Sequence, residues 1–530
     1  MNSLVGTGEL LRLAWRRDRI LVPASVIGLV LLAVGSAQAT LDLYPTDQAA
    51  ATGLAGILTN PAIVAMYGPL PSQSADALAV FKTVMMGAFF VSVLALVVVR
   101  RHTRTEEEEG RLELVGAAAV GRWAPLAAAV ALATASVLAA SGLAAGGLAA
   151  LGLDPMGSLA FGVAWATAGL AMVGVAAVAV QVASTTRGAG GLCFGFLGAS
   201  YALRAIGDSG SASAHALVWL SPLGWVGRVE AYGANRLWVL LLGVFVWVVG
   251  TGLALVLLQR RDLGAGLIPQ RAGPARAGAL LSTPTGLVTR LATGTLIGWT
   301  VGLVIGGVAI GSLLGSVGEL TSNSAVSDML ERLGGSAGTV EDIFLATETA
   351  FISAAVAGAG IALVLRLVAA ERTGLGESVL TTPTPRIRWY AAHVGVAVAL
   401  TTVLMAVLGV TVGLVGPLAS DAAPSLGATL GAALATLPAV WLVVALAAVL
   451  AGAAPRFAPV SWALLLLSFV VGELGRTIGL PQWVTDLSPF AHLSQLPGGD
   501  FEALSALVLT AIAMALVAAG AAAYRQRDVA

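Results

Sequence analysis

The run "AVFKTVMMGAFFVSVLALVVV", Ala79 to Val99, leads directly into "RRHTRTEEEEGRLELVGAAAVGRW", Arg100 to Trp123. The first stretch carries a single charge, Lys82, near its start; the second is the most charged segment of the chain. An α-helix rises about 1.5 Å per residue, so roughly 20 apolar residues cross about 30 Å of hydrocarbon. A helix also satisfies its own backbone hydrogen bonds, which lipid cannot do. The junction therefore reads as a membrane-spanning helix emerging into water.

The rest of the chain repeats that pattern. Of its 530 residues 58% are hydrophobic and 11% charged, with a mean hydropathy of +0.91. No single soluble core hides that much apolar surface. About twelve runs have spanning character, near 19–37, 79–99, 124–145, 158–182, 189–206, 237–258, 291–315, 345–365, 389–416, 430–453, 457–474 and 503–523. Those at 189–206 and 457–474 are short enough to be broken or re-entrant. The expected fold is an all-α polytopic membrane protein. Arg12, Arg16, Arg17 and Arg19 ahead of the first run resemble a signal peptide's basic region, but no A-x-A site ends a short apolar core; "SAQAT" (Ser36 to Thr40) comes nearest. The first helix is read as retained.

Charge then sets orientation. Alternating the spans places 22 of the 28 basic residues on one side, which the positive-inside rule makes cytoplasmic, together with both termini. The opposite loops hold Asp42, Asp47, Asp76, Asp154, Glu319, Asp328, Glu341, Asp342 and Asp421. The lone Cys193 excludes intrachain disulfides and multi-cysteine metal sites. His102, His215, His393 and His492 are scattered singly, without metal spacing.

Internal repetition is the most informative feature. Glu107, Gly110, Glu113 and Arg122 align with Glu371, Gly374, Glu377 and Arg386 at an offset of 264. "WLSPLGW" (Trp219 to Trp225) matches "DLSPFAH" (Asp486 to His492), and "QRRD" (Gln259 to Asp262) matches "RQRD" (Arg525 to Asp528), at offsets of 267 and 266. The chain is thus expected to duplicate a six-helix unit, residues 1–262 and 286–530, across a Gly-, Pro- and Ala-rich cytoplasmic linker at 263–285. An even number of spans per half makes the two repeats parallel.

A charged element outside the bilayer suits a soluble partner. After the second helix Glu106 to Glu109 extends it, Gly110 can break it, and "RLELVGAAAV" can form a short helix with Leu112, Val115 and Ala119 on one side. The copy at Glu371 to Arg386 ends in "TTPTPR", whose prolines stop a helix. Glu107, Glu109, Gly110, Arg111, Glu113 and Arg122, with Glu371, Gly374, Glu377 and Arg386, are therefore the candidate site residues. The competing reading is a solvated charged face that only orients the protein.

Glu109-Gly110-Arg111-Leu112-Glu113-Leu114 with Arg122-Trp123, and the weaker copy from Glu371 to Trp389, resemble the E-x-G-R-x-E-L segment of fused, twelve-helix ABC export permeases. These belong to the type 2 ABC transporter class, in the family of exporters of polyketide antibiotics and other drugs. The resemblance extends over essentially the full length, through the two "LSP" segments and the two "RRD"-like ends. It implies a coupling helix after each half's second span, seated on an ATPase subunit. The second copy departs from the pattern, with Leu375 and Gly376 where Arg111 and Leu112 stand, so the two halves are not expected to engage equally.

The motor is missing from this chain. A phosphate-binding loop needs Gly-x-x-x-x-Gly-Lys-Ser/Thr, because its backbone N–H groups cradle phosphate and its lysine reaches the terminal oxygens. The only lysine is Lys82, in "AVFKTVM". The expectation is a non-enzymatic transport subunit that binds no cofactor, with ATP and Mg²⁺ held by two copies of a separate ABC ATPase. Its other partners would be the bilayer of a bacterial plasma membrane and a lipophilic cargo, and not nucleic acid. The alternative is a proton-coupled secondary drug transporter, which usually keeps carboxylates or histidines deep in the membrane; here Glu348, Glu473 and Arg204 fall near the outer span ends. A pathway lined mainly by Leu, Val, Ala and Gly suits lipophilic or amphipathic compounds. Gly302, Gly306, Gly307, Gly311 and Gly315 read as a small-residue packing face. Trp123, Trp219, Trp225, Trp238, Trp389, Tyr390 and Trp483 read as an interfacial belt. Leu58 to Leu70 and Val317 to Thr347 read as short interfacial elements on the outer face.

Overall fold

The computed structural model describes residues 3–44, 46–48, 61–116, 118–209, 212–262, 264–268, 275–276, 278–319, 339–474 and 481–527. Every regular element among them is helical. The chain divides into two compact units, Met1–Ala272 and Gly273–Ala530. The first contains α1 (Thr7–Arg17), α2 (Leu21–Leu43), α3 (Pro61–Tyr67), α4 (Ala75–Arg101), α5 (Arg104–Glu108), α6 (Arg111–Gly116), α7 (Ala124–Ala150), α8 (Pro155–Val182), α9 (Thr186–Ser209), α10 (Pro222–Arg228) and α11 (Leu240–Gln259). The second contains α12 (Pro284–Glu319), α13 (Val340–Arg372), α14 (Leu375–Leu380), α15 (Arg386–Ala419), α16 (Leu426–Ala435), α17 (Leu437–Ala453), α18 (Val460–Phe469), α19 (Gln482–Thr485) and α20 (Ala503–Gln526).

Among the described residues, 11 helical stretches are long and apolar enough to cross a membrane. The run at 457–474 forms only a shorter apolar helix, Val460–Gly472. Pro455 and Pro459 delay its start, and it ends in a π-helical turn at Val470–Leu474. The run at 189–206 instead grows into a 24-residue helix. Helix starts follow their capping residues: Ser74 accepts from the Ala77 amide, Asp154 from Gly157 with Pro155 at the first helical position, and Thr339 and Asp342 close a capping box. These contacts satisfy amides that would otherwise lack partners.

Between spanning helices water gives no hydrophobic drive, so close packing of small residues supplies the cohesion. In the first unit α8 is the centre. Trp165 is fully buried and lies where a Cβ on Gly87 would stand, 1.9 Å from its ring; its indole N–H donates to the Thr83 and Val84 carbonyls at 3.2 and 3.1 Å. Gly243 and Gly250 of α11 ride on the backbone of α8 at Thr167 and Gly174. In the second unit Gly452 of α17 meets Gly520 of α20 in the same way. Gly307 and Gly311 of α12 pack on Thr411 and Val415 of α15, whereas Gly302 and Gly306 meet nothing within 4 Å. The packing face is thus narrower than its glycine pattern suggested. Nor is the whole aromatic set interfacial: Trp225, Trp389 and Tyr390 are buried, Tyr390 in a tilted pair with Tyr524 whose ring centroids are 5.5 Å apart.

At the first unit's acidic end Asp76 accepts from the Asp154 amide at 2.9 Å, and Tyr232 meets Ser158 at 2.8 Å. Buried Arg204 caps the C-terminal carbonyls of α3, and Asp208 beside it binds Arg228 at 2.6 Å. Of the two expected outer elements, α3 lies within Leu58 to Leu70, with 58–60 outside the described residues; most of Val317 to Thr347, including Asp328, also lies outside them.

Candidate functional site

The segment after α4 breaks where its glycine permits. Gly110 sits at φ +72 and its counterpart Gly374 at φ +73, in the left-handed region where a Cβ costs roughly 1–2 kcal/mol. Each is followed at once by a short helix, α6 or α14. α6 ends at Gly116 and does not reach Val120.

At the arginine-rich end of the first unit the charges interlock. Asp18, fully buried after α1, pairs with Arg101 at 2.8 Å and His102 at 2.7 Å. Glu106 accepts from Arg111 at 2.7 and 3.0 Å and also from Arg17. Glu108 accepts from the Thr186 amide at 2.8 Å. Arg104 binds Glu107 at 2.6 Å and the Val180 carbonyl at 2.6 Å. Arg261, two residues beyond α11, donates to both Glu107 oxygens at 2.5 and 3.0 Å and to Gln181 at 2.7 Å. Its own carbonyl accepts from Arg122 at 2.7 Å.

The second unit rebuilds the centre of this arrangement with fewer parts. Arg527, just beyond α20, donates to both oxygens of Glu371 at 2.7 Å. Its carbonyl accepts from Arg386 at 2.7 Å. The aligned residues therefore meet in the same way: Glu107, Arg261 and Arg122 in one unit, Glu371, Arg527 and Arg386 in the other. The two "LSP" serines match too, since Ser221 donates to Ser200 and Ser488 to Ser468, both at 2.6 Å.

The candidate residues sort into two groups. Glu109 and Glu113 are exposed and Arg111 half-exposed, and they surround an uncovered Leu114. Glu377 is likewise exposed on α14, beside a Leu375 that is 65% exposed. Gly110 and Gly374 make the breaks. Glu107 and Glu371, in contrast, are buried and face inward, so they offer no surface to a partner. Arg122 and Arg386 spend donors on the carbonyls of Arg261 and Arg527. The Glu106–Arg111 pair is particular to the first unit, where hydrogen bonding to Glu106 also raises the pKa of the Arg111 guanidinium; Ala370 and Leu375 hold the aligned positions in the second.

Sequence reasoning did not single out Asp18, Arg104, Gln181, Arg261 or Arg527. For the last pair a signal existed: both stand in the repeated "QRRD" and "RQRD" tails, which nothing in the sequence connects to the distant glutamates. Between α6 and the ends of α8 and α11 lies a cavity of about 330 Å³, lined by Leu112, Leu126, Gln181, Leu258 and the Glu107–Arg261 pair. The site is a set of ion pairs and hydrogen bonds on both sides of a short helix.

Residues 281–525 match the family model of the multidrug efflux system permease Rv1217c, C-terminal domain. Over 532 residues, all of this chain and 96% of the relative, the chain is 41% identical to multidrug efflux system permease protein Rv1217c of Mycobacterium tuberculosis (strain ATCC 25618 / H37Rv).

Proposed function

The chain belongs to the family of multidrug efflux system permeases, and from that membership we propose that it is the membrane subunit of an ATP-driven exporter of lipophilic or amphipathic compounds. Two copies of a separate ABC-type ATPase supply the energy and hold ATP and Mg²⁺. They seat on α6 and α14 at the cytoplasmic face of a bacterial plasma membrane, where both termini also lie. Residues 1–262 and 286–530 act as paired export domains.

One observation carries this reading: both units place a short helix, with uncovered leucine and carboxylate, immediately after a left-handed glycine at the end of the second spanning helix. An exposed helix set on a rigid ionic base suits the transfer of motion from a soluble motor. The chain's lack of a phosphate-binding loop supports a separate motor.

The test is co-expression with a candidate ABC-type ATPase. Purified alone, the chain should hydrolyse no ATP. With the ATPase it should co-purify, and cargo should stimulate hydrolysis. Robust proton-driven drug export by the chain alone would support the secondary-transporter alternative.

A further inference from the structure

The short helix in each unit is flanked by two ties that end on the same residue. Before α6, both oxygens of the Glu107 carboxylate accept from the Arg261 side chain, and one of them also from Arg104; after α6, Arg122 donates to the Arg261 carbonyl. Before α14, Glu371 is held by Arg527; after α14, Arg386 donates to the Arg527 carbonyl. Arg261 and Arg527 stand directly beyond α11 and α20, the last helix of each unit.

We propose that Arg261 and Arg527 are positioning residues for export, each clasping the end of its unit's last helix to both flanks of the short helix. A displacement of α6 or α14 is then passed to α11 or α20. This rests on the reading that those short helices receive the motor. In the first clasp two guanidinium nitrogens of Arg261 each take one Glu107 oxygen, a fork that fixes orientation as well as distance; in the second a single nitrogen of Arg527 takes both Glu371 oxygens, a charge-assisted contact without the fork. The surroundings of the two clasps differ: Arg104 and Gln181 join the first, while an Ala451 carbonyl at 3.4 Å and the Tyr524 ring at 4.9 Å adjoin the second. The shared feature is the double tie itself. The first clasp is more sealed, with Arg261 and Glu107 side chains each 4% exposed against 17% for Arg527.

Two perturbations test the clasp in the full complex, in inverted vesicles with the co-expressed ATPase. Arg261→Gln removes the first clasp's side-chain tie to Glu107, keeping only the Arg122 bond to the backbone carbonyl, and leaves Glu107 bound to Arg104, so no buried carboxylate is stranded. In the second unit, Glu371→Cys with Arg527→Cys in a Cys193→Ala chain removes both charges together, and a bifunctional methanethiosulfonate rejoins the positions reversibly. The expected result is export per ATP hydrolysed falling about tenfold in each, within the usual range for coupling between sites, while the ATPase still co-purifies. Cross-linking should restore the ratio and reductant should abolish it again in the same sample. Unchanged export per ATP in both variants overturns the inference, as does a loss that cross-linking fails to repair. Export by the unmodified chain that persists without ATP sinks the motor reading, and this inference with it.

Discussion

Removing Glu107 should damage the first unit more than removing Arg261, although the two form one ion pair. Glu107 is the acceptor shared by two buried guanidiniums, Arg104 at 2.6 Å and Arg261 at 2.5 Å. Glu107→Ala strands both positive charges in a site where the paired side chains are at most 4% exposed. Breaking a buried pair from one side costs about 3–5 kcal/mol. Glu107→Gln keeps an accepting oxygen and loses the charge, which places it near 1–3 kcal/mol. Arg261→Gln leaves Glu107 paired with Arg104, and its cost is roughly that of one or two hydrogen bonds, about 1–2 kcal/mol. For a unit of this size the alanine variant should lose on the order of 5–10 °C in melting temperature. Fluorescence-detected size-exclusion chromatography after stepwise heating in detergent ranks the variants. An alanine variant within about 2 °C of the unmodified chain, or one hardier than Arg261→Gln, would refute the claim that Glu107 neutralises two buried arginines.

Three further outcomes are expected. Gly110→Ala and Gly374→Ala should each cost about 1 kcal/mol through backbone strain alone, since a Cβ there meets nothing within 4 Å; melting shifts check the size, and a neutral result would mean the left-handed turn is not held. Gly87→Ala should destabilise the first unit by about 1–3 kcal/mol through overlap with Trp165, with partial recovery in a Trp165→Leu background, read by the same heating series. Exchanging the charges, Arg111→Glu with Glu113→Arg, should weaken ATPase co-purification by about 1–3 kcal/mol without loss of folded protein, and reversing Glu377 should do less because Leu375 and Ala370 replace the Arg111–Glu106 pair; full export at matched expression would mean the charge is only a solvated face.

The candidate site was legible in part. The aligned glycines and glutamates announced a repeated break and a short helix, and both exist at Gly110 and Gly374. What did not follow was direction. Glu107 and Glu109 are two residues apart in a run of four identical side chains, yet one is buried and the other exposed. No periodicity resolves that, because the helix stops at Glu108 and turns at Gly110.

Hydropathy is a local property, so the sequence alone determined that the chain is helical and crosses a membrane many times; a run of apolar residues leaves the backbone only its own hydrogen bonds to use. It also showed glutamate, glycine and arginine residues recurring in the two halves at nearly one offset. The run at 457–474 marks where local reading ends, because two prolines shorten a helix whose composition is adequate. Only the tertiary structure decided that three separate repeated signals are one contact. Gly243 and Gly250 let α11 lie against the backbone of α8, and Gly520 does the same for α20 on α17, while Arg261 and Arg527 beyond those helices meet Glu107 and Glu371 on other elements. An ion pair between residues some 150 positions apart depends on where two helix ends meet, which is set by packing distant in the chain and written in no single stretch of it.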